Sequence, residues 1–130
     1  MLGVIIKVLG TTLVLGACAG TAMFMLHRIE NPMNEYATYS EMEAGGLMVA
    51  GWIPKVIPKS AYAITETHNL DTNAVQISFS FSPGDTNIAA DKCRLTSTSG
   101  MESVFYCSAG NLTLTTEGHG FFTSEREIGR

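Results

Sequence analysis

An uncharged apolar run from Val8 to Leu26, closed by His27 and Arg28, constrains this chain more than any other feature, because it decides where the rest can fold. As a helix, its 19 residues rise roughly 28 Å, close to the hydrocarbon thickness of a bilayer. The run predicts one transmembrane helix. Leu15-Gly16-Ala17-Cys18 supports a second reading, a bacterial lipobox in which Cys18 is acylated and the residues before it are removed. A signal peptide cut elsewhere is the third. Ala19 to Leu26 stays apolar, which a spanning helix requires and a lipid anchor does not, and Lys7 stands late for a secretory leader. Both observations favour the spanning helix, and with it the membrane as a partner.

Orientation follows from flanking charge. Lys7 precedes the run, while Arg28 is soon offset by Glu30 and Glu35, so the positive-inside bias places the N-terminus in the cytoplasm. The expected location is a single pass of the bacterial inner membrane with the C-terminal domain in the periplasm; a lipid-anchored envelope lipoprotein is the alternative. Within the run, Thr12, Gly16 and Gly20 recur every fourth residue, a small-residue stripe that suits helix packing and a homodimer through the anchor.

The remainder, about 100 residues, suffices for one small domain. The boundaries read as an anchor over 1–28, a juxtamembrane connector over 29–38, a domain over 39–123 and a flexible tail over 124–130. A net charge of −4 with Lys and Arg dispersed excludes a nucleic-acid surface. Cys93 and Cys107 form an even pair in a small extracytoplasmic domain, which suits a disulfide; two buried free thiols are the alternative. No four-ligand cluster calls for a metal, and no motif calls for a cofactor.

Thr38-Tyr39-Ser40-Glu41 matches a capping box and Gly45-Gly46 a stop, predicting a short helix near Tyr39 to Ala44. Pro54 and Pro58 then stiffen an extended segment that carries Trp52, Ile53, Val56 and Ile57. Those side chains either plug the core or form a preorganised ledge for a partner. Ala61 to Thr67 is a strand candidate, and Asn69 to Asn73 is a cluster of turn-formers. Val75, Ile77, Phe79 and Phe81 alternate with Gln76, Ser78 and Ser80, predicting a half-buried strand. A short helix within Asp85 to Cys93, a strand over Ser103 to Ser108 and another holding Leu112 and Leu114 complete the pattern. The expected fold class is α+β: an N-terminal transmembrane helix, then a small antiparallel sheet of about four strands with one or two short helices.

Catalytic signatures are lacking: there is no GxSxG, HExxH, P-loop or dinucleotide fingerprint. His68 alone has acidic company, in Glu66 and Asp71, and could serve a hydrolase or ligand site; the other reading is that His68, Asp71 and Asn73 shape a loop. Gly51-Trp52-Ile53-Pro54-Lys55-Val56-Ile57-Pro58-Lys59-Ser60-Ala61, His68-Asn69-Leu70-Asp71-Thr72-Asn73 and the strand to Phe81 resemble small bacterial envelope domains of the YbbD-head type over roughly residues 40 to 110. Ala50 stands where that type often has a basic residue. The resemblance implies an N-terminal anchor, an envelope location and no established activity. The expectation is therefore a non-enzymatic protein-interaction domain of the envelope, contacting a partner through Trp52, Ile53, Val56, Ile57, His68, Asp71 or Asn73. A lipoprotein immunity or inhibitor protein and a hydrolase using His68 and Asp71 are the alternatives.

Overall fold

The computed structural model describes residues 2–124, with side chains from residue 16 onward. Of the tail expected over 124–130, residues 125–130 lie outside the described residues, as does the side chain of Thr12, while Ser124 is bonded to Val75. The chain divides into two units, Met1–Asn31 and Pro32–Arg130. The first holds one helix, α1 (Leu2–Glu30). The expected spanning helix is corrected here: among the described residues no helix is long and apolar enough to cross a membrane. From Gly16 to Glu30, where side chains are described, α1 covers only about 22 Å and ends in His27, Arg28 and Glu30. In this stretch Gly16 and Gly20 lie open to the surroundings, and Cys18 is a free, exposed thiol.

The second unit is a seven-stranded, wholly antiparallel sheet rather than the four strands expected. Its elements in chain order are β1 (Met33–Thr38), α2 (Tyr39–Ala44), β2 (Tyr62–His68), β3 (Val75–Ser80), α3 (Asn87–Lys92), β4 (Arg94–Ser99), β5 (Glu102–Cys107), β6 (Gly110–Thr115) and β7 (His119–Thr123). The strand order is β1-β2-β3-β7-β6-β5-β4. Two meanders therefore meet where β3 pairs β7, and the connection holding α3 carries the chain from β3 to the far edge.

Local chemistry explains the parts. Thr38 caps α2 by accepting from the Glu41 N–H, while the Glu41 carboxylate accepts from the Ala37 N–H at 2.8 Å, reciprocal bonds of the capping-box kind. In β3 the period of two sends Val75, Ile77 and Phe79 into the core and leaves Gln76 and Ser78 on the open face. Asn69 closes the turn before it: its side-chain oxygen accepts from the N–H groups of Asp71 and Thr72. The core lies on one face of the sheet, under Met42 of α2, the 45–61 loop and Ala89 of α3.

Three strands differ from expectation for identifiable reasons. Residues 33–38, expected within a connector, form edge strand β1. β4 is exposed along its whole length, so it carries no apolar alternation to read. β7 has Gly120 where an inward apolar residue would be expected, because a Cβ at that position would collide with the Phe79 ring on the paired strand. The disulfide joins Cys93, at the end of α3, to Cys107, at the end of β5, with Cα atoms 4.4 Å apart.

Candidate functional site

The alternation in β2 sends Ile64, Glu66 and His68 to the core side, so two polar residues stand where apolar ones would be expected. Glu66 is 0% and His68 6% exposed. Burial of a carboxylate is costly unless donors surround it. Two donors are supplied. The His68 Nδ1 proton is donated to Glu66 Oε1 at 2.7 Å, and Asn34 Nδ2 donates to Glu66 Oε2 at 2.8 Å. Asn34 reaches it because β1 pairs β2 with Asn34 directly opposite Glu66. The same carboxylate, after burial itself, raises the Tyr36 phenol above its ordinary range.

On its outer side, His68 carries the Trp52 indole, stacked with ring centroids 4.2 Å apart and planes 23° apart. The main chain of Trp52 is held in turn by its backbone N–H, which donates to the Leu47 backbone carbonyl at 2.9 Å. A continuous chain, Asn34 to Glu66 to His68 to Trp52, thus runs from the edge strand to the surface.

Trp52 also lines a cleft of about 230 Å³ at the end of the sheet, together with Gly51, Pro54, Asn73, Val75, Ser108, Ala109, Phe122 and Ser124. Three turns build its walls: the one holding Gly51 and Trp52, the β2–β3 turn ending in Asn73, and Ser108-Ala109 between β5 and β6. The disulfide ends one residue before that last wall, at Cys107. Asn73 adopts a left-handed backbone (φ 56°), a conformation that asparagine tolerates better than most residues. Ser124 seals the opposite side: its hydroxyl accepts from the Val75 N–H at 2.7 Å, and its own N–H donates to the Val75 carbonyl at 2.9 Å.

Of the sequence-identified residues, the structure gathers Trp52, His68 and Asn73 at this end of the sheet. It does not gather Ile53, Val56 and Ile57, which are buried in the core and present no ledge to a partner. Asp71 is exposed in the turn, where its N–H serves the Asn69 bond, and the acid that meets His68 is Glu66. A His-Asp hydrolytic pair is therefore not assembled. Asn34, Ser108, Ala109, Phe122 and Ser124 escaped the sequence reading. Asn34 had one available signal, since Glu66 and His68 at a spacing of two in a strand share a face and demand a partner opposite. Among the described residues no cluster of His, Cys, Asp or Glu could hold a metal ion.

Comparison with known proteins agrees with this geometry at the level of a domain. No curated protein and no solved structure matches the chain. The family model of the YbbD head domain matches residues 30–80, a segment that starts and stops earlier than the resemblance read from the sequence. That segment holds β1, α2, β2 and β3, and with them all four members of the chain from Asn34 to Trp52. Residues 30–80 are thus similar to a YbbD head domain, a likeness that suggests a domain of bacterial envelope type.

Proposed function

We propose that this protein is a non-enzymatic interaction domain of the bacterial envelope, working in the periplasm and contacting a protein partner with the turn end of its sheet. The observation that carries the reading is the built support under Trp52: a buried Asn34-Glu66-His68 chain whose outermost member is an indole at the rim of a cleft. Preorganised aromatics of this kind make effective anchors because little freedom is lost on binding. The β2–β3 turn, which supplies Asn73 to the same cleft, also carries Leu70, 50% exposed and able to add apolar contact area. The disulfide suits an oxidising compartment. Retention there is assigned to acylation of Cys18, the free and exposed thiol of the chain.

Immobilised protein challenged with envelope extract is expected to retain one partner in a fixed ratio. Trp52→Ala and Leu70→Asp should lose it, while Met101→Asp, at the opposite end of the sheet, keeps it. Equal retention by all three variants would contradict the reading. The mass of the mature protein tests the anchor: acylation requires loss of the first 17 residues and gain of acyl mass, and an unmodified Cys18 contradicts it.

A further inference from the structure

The cleft beside Trp52 has chemistry of its own, beyond protein docking at the turn tip. Its volume, about 230 Å³, lies below the roughly 300–1,000 Å³ of clefts that hold drug-sized ligands, so it fits about one ring. Its lining is uncharged throughout, so it offers no counter-charge to a phosphate, a carboxylate or an amine. Apolar surface comes from Trp52, Pro54, Val75 and Phe122, and polar groups from Asn73, Ser108 and Ser124.

This mixture selects among neutral ligands. A purely apolar ring would strip water from the Asn73 amide and the serine hydroxyls without replacing it, a penalty that disfavours lipids. An extended peptide would need a free strand edge, yet both backbone groups of Val75 are already bonded to Ser124. A saccharide ring meets each requirement. Its C–H face is complementary to the electron-rich face of an aromatic ring, and its hydroxyls match one amide and two hydroxyls, each able both to donate and to accept. The Ser124 hydroxyl accepts from Val75, which leaves its proton free to donate into the cleft.

We propose that this cleft binds one neutral pyranose ring, packed on Trp52 and hydrogen-bonded by Asn73, Ser108 and Ser124. Trp52 is the only tryptophan in the chain, so its fluorescence reports the site directly. Titrating the full chain with N-acetylglucosamine and its β-linked disaccharide is expected to give a saturable emission change with a dissociation constant of roughly millimolar order, the strength a single ring commands. Asn73→Gly, which keeps the left-handed backbone, and Ser108→Ala should each weaken it about five- to tenfold, with little change in thermal midpoint. Leu70→Asp, which tests protein docking, should leave the titration unaltered, so the two readings fail separately. Absence of saturation up to about 50 mM, in fluorescence and in amide chemical shifts alike, overturns the proposal. So does an equal response to anionic galacturonate or to a proline-rich peptide, or wild-type affinity in both the Asn73→Gly and Ser108→Ala variants.

Discussion

The Trp52 indole lies against the His68 imidazole, ring centroids 4.2 Å apart, and the far side of that imidazole donates to the buried Glu66 carboxylate at 2.7 Å. Sequence separation hides the relationship. Trp52 sits in a Pro-bounded loop, His68 ends β2, and the strand register that supplies Asn34 comes from β1. Each link fixes the next, so the orientation of one surface ring rests on a carboxylate in the core.

Removing one member should therefore cost more than removing two. His68→Ala leaves Glu66 buried with Asn34 as its remaining donor, and a loss of about 3 kcal/mol is expected, as for other broken buried pairs. Glu66→Leu combined with His68→Phe removes the charge and keeps a ring under Trp52, so its loss should be smaller. Urea unfolding of the two variants measures both; a double variant less stable than His68→Ala contradicts the account.

The disulfide closes a loop between Cys93 and Cys107, which are 14 positions apart in the sequence. On the chain-entropy account, such a loop contributes about 3 kcal/mol. Adding reductant to the wild type should lower the unfolding midpoint to that of a Cys93→Ser, Cys107→Ser double variant, and should leave the double variant unchanged.

Gly120 is expected to resist the smallest substitution. An alanine Cβ there meets the Phe79 ring of the paired strand, and overpacking of this kind costs about 1–3 kcal/mol. Phe79→Leu in the Gly120→Ala background should recover part of that loss, which thermal unfolding can read.

Alkaline pH should destabilise the domain through two phenols. Burial first, and then the negative charge of Glu66, raises Tyr36; burial and then Glu43 raise Tyr39. Because the folded state disfavours their ionisation, their contribution is complete below the ordinary value of about 10 and is lost as pH rises above it. Tyr36→Phe with Tyr39→Phe should flatten the fall in stability between about pH 9 and 11, measured as urea midpoints.

Legibility in the sequence followed local strength of pattern. The strict alternation from Val75 to Phe81, the capping box at Thr38 to Glu41 and the Asn69 turn are short-range signals, and β3, α2 and that turn occupy those positions. Strand β1 was hidden behind Pro32 because its polar residues gain meaning only opposite β2, where Asn34 meets Glu66. Strand β4 has no buried face, and β7 surrendered an apolar position to Gly120 to admit Phe79. The site divided along the same line. Trp52, His68 and Asn73 stand out by residue type, whereas Ser108, Phe122 and Ser124 enter the cleft only through the closing of β6 and β7 onto β3. Ile53, Val56 and Ile57 could be read as core plugs or as a ledge, because apolar residues beside prolines give no sign of which side faces the core, and their burial decides for the core.

The central claim is that this protein engages its partner through the end of the sheet where Trp52 and Leu70 lie. Site-specific photo-crosslinking in intact bacteria tests it most directly, with the photoreactive residue at position 70 or, as a control, at position 101 at the opposite end, where Met101 is 58% exposed. A discrete adduct from position 70 that disappears in the Trp52→Ala background, with none from position 101, is the predicted result. Adducts from position 101 alone, or from position 70 regardless of Trp52, would contradict it.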